Sequence, residues 1–274
     1  RKSAFLALSF FLHICISELV LNKNNVMEEK HQFPTEEVTL PSKGLLYPEG
    51  SSLRKGIIEM KYMTAKEEDI LTNQNLIANG TVIDKLLQAL IISPINYNEL
   101  LSGDKNAILI AARILGYGSD YSFTYRGEEV NIDLSEVKDK PLDESLVVDG
   151  KNEFKFTLPV SEKEITFKLL THGDEIAIER ELKGLRKINK NASNELSTRL
   201  KHIILSIDGD YESKTIRNFV DTEFLAKDAR ELRNYIKEIQ PSVDLSYDYE
   251  DARGNITKID IPVGVNFFWP DATI

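Results

Sequence analysis

Residues 104–118 read DKNAILIAARILGYG, and apolar side chains occupy nearly every side of the helix that this stretch would form. Asp104 is predicted to cap the helix, and Gly116 and Gly118 are predicted to end it. A helix that is apolar all round lies inside a domain, so we expect a central buried helix. Arg113 is the exception. It is predicted to be a structural anchor that binds a neighbouring loop or carboxylate, or else a rim residue whose guanidinium reaches water.

Two helices are predicted before this central one. Thr64 and Glu67 have the spacing of a capping box, which predicts a helix over 65–79 that stops at an Asn-Gly pair. Thr81 is predicted to cap a second helix, because apolar residues recur every three or four positions until Pro94. Further helices are predicted over 173–185, 194–207 and 213–239.

Apolar and polar residues alternate in three other parts of the chain, as expected of half-buried antiparallel strands. Thr35–Met63 reads as two strands around the turn-rich PSKGLLYPEGSS, Tyr121–Leu170 as a small β module, and Val243–Trp269 as a hairpin. The fold class is therefore predicted to be α+β. It combines N-terminal extended segments, a central helical bundle with an inserted small antiparallel β module, and a C-terminal β-hairpin, with segment boundaries at 27–118, 119–170 and 171–274.

Residues 1–26 differ in character from the rest of the chain. Ala4–Leu21 is an apolar run behind two basic residues, a layout typical of a signal peptide or membrane anchor. The first polar, domain-like sequence begins at Met27, and we expect translation to start there, so that residues 1–26 are an upstream extension. A signal or anchor, or a buried helix, is the alternative. With a start at Met27, no membrane contact is expected.

The charge balance is acidic. The 274 residues carry 34 Lys and Arg against 44 Asp and Glu, a net charge of -10. Residues 1–26 hold three bases and one acid, so without them 34 − 3 = 31 bases face 44 − 1 = 43 acids and the net charge is -12. A negative field repels phosphate backbones, so nucleic acid is not an expected partner. The one cysteine, Cys15, lies in that same segment, so disulfides and thiolate metal sites are not expected either.

Motifs that carry catalysis or bind cofactors are weak in this sequence. There is no complete glycine-rich phosphate loop, and no histidine pair has metal-ligand spacing. His172 precedes Asp174 and Glu175 and could form a general-base pair, but acids in the first turn of a helix are better explained by the helix dipole. Asp208–Glu212 resembles the start of a calcium loop, but Phe219 stands where the loop needs glutamate. We therefore expect no enzyme activity, no cofactor and no metal.

Three adjacent aromatic residues, Phe267, Phe268 and Trp269, lie close to the end of the chain. On a strand, at least one of them would face away from the core, and exposed aromatic rings contribute strongly to protein interfaces. They are therefore predicted to form a partner-binding edge. The alternative is ordinary filling of the core.

Four segments together resemble the baseplate hub assembly proteins of T4-like contractile-tailed bacteriophages. The similarity extends from about Pro34 to the C-terminus, and MTAKEED and FFWP are its more specific pieces. The segments are LPSKGLLYPEGSSL at Leu40–Leu53, EMKYMTAKEEDILTNQNLI at Glu59–Ile77, ILIAARILGYGSDY at Ile108–Tyr121 and PVGVNFFWP at Pro262–Pro270.

The resemblance implies a non-enzymatic role in assembling the central hub of the tail baseplate, as a hub subunit or as an assembly factor or chaperone. The implied partners are other hub proteins and the tape-measure protein, in the host cytoplasm during assembly and in the virion tail. Some relatives are expected to carry paired cysteines, a zinc ribbon, near Tyr125–Asn131. This chain has none there, so no zinc is expected. The alternative function is an acidic DNA mimic that inhibits a host protein, although interspersed bases weigh against it.

Overall fold

A computed structural model describes residues 34–140, 142–148, 150–188, 194–251 and 253–268. The α+β class is confirmed, because helices and small antiparallel sheets alternate along these residues. The helices are α1 Ala65–Leu71, α2 Gln74–Ala78, α3 Val82–Leu90, α4 Ser102–Tyr117, α5 His172–Ile188, α6 Glu195–Ile203, α7 Ser213–Thr222 and α8 Ala226–Ile239. The strands are β1 Thr35–Thr39, β2 Ile57–Lys61, β3 Asp120–Tyr125, β4 Glu128–Asp133, β5 Asp139–Lys140, β6 Phe154–Thr157, β7 Glu164–Phe167, β8 Ile204–Ile207, β9 Ser242–Val243, β10 Ser246–Glu250 and β11 Ile256–Asp260.

Helix α4 is the buried central helix that its apolar sequence predicts. Seven of its sixteen residues are buried, including Ile108, Ala112 and Arg113. It ends at Gly118, whose backbone has a φ of 83°, in the left-handed region that glycine adopts without strain. The predicted start is wrong: the helix begins two residues before Asp104, and the cap position is Leu101. Asp104 lies inside the first turn, where its side chain binds a distant loop instead of its own helix.

The helix predicted over 65–79 is two short helices, α1 and α2. Its predicted start is confirmed, because Glu67 accepts hydrogen bonds from the backbone nitrogen of Thr64 at 3.0 Å and from its hydroxyl at 2.6 Å. The break falls at Asn73, whose side chain accepts from the backbone nitrogens of Asn75 and Leu76. A side chain that bonds its own backbone in this way starts a new helix rather than continuing the old one. Helix α3 begins after Thr81 as predicted and ends at Leu90, but the Thr81 side chain makes no capping hydrogen bond.

The strands form five small antiparallel sheets, with orders β1-β2, β3-β4, β5-β9, β6-β7-β8 and β10-β11. The β module predicted over 119–170 is therefore not one sheet. Hairpin β3-β4 is separate from hairpin β6-β7, and β8 completes the latter. Residues 204–207 were predicted to be the end of a helix, and they are this strand instead. Alternation predicts that a segment is a strand, but it does not predict which strand lies beside it.

The C-terminal hairpin is confirmed over β10 and β11, where Tyr249 pairs with Thr257. It was predicted to extend to Trp269, but β11 ends at Asp260 and Val265–Phe268 forms a 3₁₀ turn. Trp269 and residues 1–26 lie outside the described residues. Thr35–Ile274 is one compact unit, and the boundaries after residues 118 and 170 stay predictions at the level of sequence.

Candidate interaction site

Asp104 ties the loop Leu40–Leu53 to the start of α4. Its carboxylate accepts hydrogen bonds from the backbone nitrogen of Ser42 at 2.9 Å and from its hydroxyl at 2.6 Å. The hydroxyl of Tyr47 donates to the same carboxylate at 2.6 Å and accepts from the backbone nitrogen of Leu101 at 3.0 Å. Burial raises the pKa of Asp104 and that of Tyr47. Ser42 and Asp104 are 62 residues apart in sequence, so no local sequence pattern could predict this network.

Arg113 anchors the other end of α4. Its guanidinium donates to the backbone carbonyls of Phe267 at 2.9 Å, Gly118 at 2.8 Å and Asp120 at 2.9 Å. Only 1% of the residue is exposed, which excludes the rim position, and burial lowers the pKa of Arg113. Among the described residues, no carboxylate lies within salt-bridge distance of it. The contacts are those of an anchor for neighbouring loops, with carbonyl dipoles in place of a counter-ion.

Phe267 and Phe268 lie in the core. Neither ring is exposed, and Phe267 packs edge-on against Tyr121 with ring centroids 4.8 Å apart. The predicted partner-binding edge is therefore wrong for these two residues. The prediction assumed that these residues form a strand, on which neighbouring side chains point to opposite faces. They form a 3₁₀ turn instead, and both rings point into the core. For Trp269 the prediction stays untested, because that residue is outside the described part of the chain.

Helix α4 brings together the four segments that carry the resemblance. Asp104 binds Leu40–Leu53, and Arg113 binds Phe267 in Pro262–Pro270. Near the same end, the hydroxyl of Tyr117 donates to Glu68, which lies in Glu59–Ile77, at 3.0 Å. Since Ile108–Tyr121 includes most of α4 itself, the four segments form one connected part of the fold.

His172 lies in a cluster of polar residues contributed by different helices and loops. Its ring packs edge-on against Tyr97 with centroids 4.7 Å apart, and its Nδ1 lies 3.8 Å from Asp84 Oδ1, too far for a hydrogen bond. Asp84 instead accepts from the Tyr97 hydroxyl at 3.0 Å and pairs with Lys105. Burial lowers the pKa of His172. Sequence reasoning missed these partners, because no spacing relates them to His172.

The acids that follow His172 hold the start of α5. Asp174 accepts hydrogen bonds from the backbone nitrogen of Thr171 at 3.0 Å and its hydroxyl at 2.9 Å, and it pairs with Lys168 at 2.7 Å. Glu175 receives two hydrogen bonds from Arg199 on α6, at 2.9 and 2.8 Å. Both carboxylates are therefore engaged in ion pairs and hydrogen bonds of the fold.

The segment Asp208–Glu212 is a tight turn. Asp208 accepts from the backbone nitrogen of Glu164 at 2.9 Å, and Asp210 accepts from that of Glu212 at 2.8 Å. Asp208 and Gly209 have positive φ values of 51° and 84°, as a tight reversal requires. In the described part of the chain, no group of three or more His, Cys, Asp or Glu side chains could hold a metal ion.

A surface cleft of about 670 Å³ lies between the second half of α8 and the hairpin β10-β11. We call it the basic cleft. Apolar side chains of Ile236, Val243 and Leu245 contribute to its lining. Its charged residues are Lys140, Arg233, Lys237, Lys258, Asp244 and Asp260. Apart from Lys140, its lining residues lie within 233–260, but the sequence pattern does not predict that α8 and the hairpin enclose a cleft.

Comparison of the chain with protein-family models, with curated proteins and with solved structures finds no match. Within residues 34–268, as far as they are described, no helix is both long enough and apolar enough to cross a membrane. Inference about function therefore depends on the chain's own residues and contacts.

Proposed function

We propose that the protein is a non-enzymatic tail protein of a contractile-tailed bacteriophage, acting in assembly of the central hub of the baseplate as a hub subunit or assembly factor. The observation that supports this proposal is the joining of the four resembling segments by α4. Here Asp104, Arg113 and Tyr117 each connect α4 to another of them.

The polar clusters favour a binding role over catalysis. A general base needs a hydrogen-bond path to a reacting group, whereas Asp84 is occupied by Tyr97 and Lys105, and Asp174 by Thr171 and Lys168. In the turn at Asp208–Glu212, the carboxylates of Asp208 and Asp210 likewise accept hydrogen bonds from backbone nitrogens. These four carboxylates thus have structural partners that explain their positions.

Many acidic side chains are paired with bases, which weighs against the DNA-mimic alternative. Glu181 illustrates this, because it receives hydrogen bonds from Arg217 at 2.8 and 3.3 Å and contacts His202 at 3.0 Å. A mimic of DNA needs rows of unpaired negative charge to match a phosphate backbone. Ion pairs of this kind weaken the negative electrostatic potential that a DNA mimic would need.

Mass spectrometry of purified phage particles and of infected-cell lysate would test the proposal. A fixed ratio to other tail proteins in particles is expected for a hub subunit, and presence in lysate alone is expected for an assembly factor. In both cases an affinity-tagged chain should co-purify with hub or tape-measure proteins. Recovery of the tagged chain alone from every fraction would refute the proposal. The N-terminal peptide would also show whether residues 1–26 are translated.

A further inference from the structure

The basic cleft differs in charge from the chain as a whole. Its six charged residues, four basic and two acidic, sum to 4 − 2 = +2, whereas the whole chain carries -10. A cleft with a net positive charge attracts negatively charged ligands and raises their local concentration. An acidic ligand would therefore be attracted to this cleft while the rest of the surface repels it.

The cations of the cleft have few ion-pair partners, although Arg233 Nε donates to the carbonyl of Ala229 at 3.1 Å. Among the residues that the structure describes, Arg233 and Lys237 have no carboxylate within salt-bridge distance. Lys258 lies 3.8 Å from Asp244, and the two side chains are 65% and 53% exposed, so this pair contributes little and opens at small cost. The amine of Lys140 donates to the carbonyl oxygen of Lys237, near the negative end of the α8 dipole.

The lining of the cleft also includes apolar side chains. Val243 is buried, while Ile236 and Leu245 are half-buried and expose part of their surface to the cleft. A ligand that bound through charge alone would leave this apolar surface in water. A ligand with both acidic and apolar groups would cover it and gain from its burial.

A second, acidic cleft of about 350 Å³ adjoins the first, and the two share Asp244 and Ser246. Its other charged residues are Asp133, Glu136 and Lys138. With Asp244 included, its charges sum to 1 − 3 = −2. A continuous phosphate backbone leaving the basic cleft on this side would meet repulsion, which favours a protein ligand over a nucleic acid.

We propose that the basic cleft binds an extended segment of a partner protein that carries both acidic and apolar residues. Arg233, Ile236 and Lys237 lie side by side on one face of α8. Acidic and apolar side chains of the same segment can therefore contact this face together. The proposal goes beyond the hub assignment and does not depend on it, because it follows from the cleft alone.

Fluorescence anisotropy with the full chain and a labelled synthetic peptide of alternating Glu and Val would test the proposal. We expect saturable binding that weakens as salt rises. Arg233→Glu and Lys237→Glu should each weaken binding by about tenfold or more, because each reverses a charge at the rim. Lys227→Glu is the matched control, since it makes the same charge change on α8 but outside the cleft. It should leave affinity within about twofold.

Circular dichroism melting curves should show that all three exposed-site variants remain folded. Absence of binding to the folded wild-type chain would overturn the proposal. Equal weakening by Lys227→Glu would also overturn it, since the attraction would then be nonspecific. Tighter binding of a single-stranded DNA of equal charge would assign the cleft to nucleic acid instead. If a peptide of alternating Glu and Ser binds as well as the Glu and Val peptide, apolar contacts do not contribute to binding, and that part of the proposal is refuted.

Discussion

Replacement of Arg113 by Met should destabilise the protein more than most single substitutions, because one buried and two partly buried hydrogen bonds to backbone carbonyls lose their donor. Methionine keeps much of the aliphatic length of arginine but donates no hydrogen bond, so the change isolates the guanidinium. The carbonyls of Phe267, Gly118 and Asp120 would each be left without the donor that lies 2.8–2.9 Å away. A buried carbonyl left without a donor costs about 1–3 kcal/mol, and the two partly buried carbonyls cost less because water can reach them.

Two effects offset part of this loss. The substitution removes a charge that burial disfavours, as the lowered pKa of Arg113 indicates. Small shifts of the surrounding turn also let water reach some of the carbonyls. We therefore expect a net loss of about 3–4 kcal/mol in the free energy of unfolding. Arg113→Lys should cost about 2 kcal/mol, because one amine cannot reach three carbonyls in different directions.

Urea unfolding followed by circular dichroism would measure these changes. With a slope of about 3 kcal/mol per molar urea, the expected loss for Arg113→Met lowers the midpoint by about 1 M. Arg180→Met, at an exposed position on α5, is the matched control and should change stability by no more than about 0.5 kcal/mol. A loss below about 1 kcal/mol for Arg113→Met would refute the anchoring role.

Three other substitutions test separate contacts. Gly103→Ala should lower the free energy of unfolding by more than about 2 kcal/mol, because the added methyl group would overlap the backbone of the segment after α8. Gly184→Ala is the control, because Gly184 lies in open space within α5. It should be neutral or stabilise the protein by up to about 1 kcal/mol in the same urea assay. Arg217 lowers the pKa of Glu181 to about 2 in the folded protein, whereas the pKa in the unfolded chain is about 4.3. The ionised Glu181 therefore stabilises the fold above pH ~4.3, and this stabilisation is lost as the pH falls towards 2. Glu181→Gln should therefore lower stability by about 1 kcal/mol at pH 7, and a difference from wild type that persists unchanged at pH 2 would contradict the ion pair. Tyr47→Phe removes two buried hydrogen bonds and should cost about 2–3 kcal/mol in urea unfolding, whereas a cost near zero would show that the loop is held by packing alone.

Elements whose signals are local could be predicted from the sequence. The start of α1 follows from the capping box of Thr64 and Glu67, and the end of α4 follows from Gly118. The buried centre of α4 follows from its composition, since no polar stripe is available to face water. In these cases the residues that determine the structure lie within one or two turns of each other.

Elements whose partners are distant could not be predicted. Asp104 has the residue type of a helix cap, and only its contacts with Ser42 and Tyr47 give it another role. Residues 204–207 form a short apolar run that suits either a helix or a strand, and the free edge of β7 makes it a strand. Most residues of the basic cleft lie within 233–260, but the way α8 packs beside the hairpin depends on the tertiary fold and could not be predicted either.

The bond between Arg113 and Phe267 has a consequence for synthesis of the protein. The two residues are 154 positions apart, and at about 5–20 residues per second a ribosome needs about 8–30 s to make the intervening chain. During that interval the apolar surface of α4 is not yet covered by the 3₁₀ turn Val265–Phe268. We expect the growing chain to recruit holding chaperones in the cell, and the yield of soluble protein to rise when such chaperones are co-expressed.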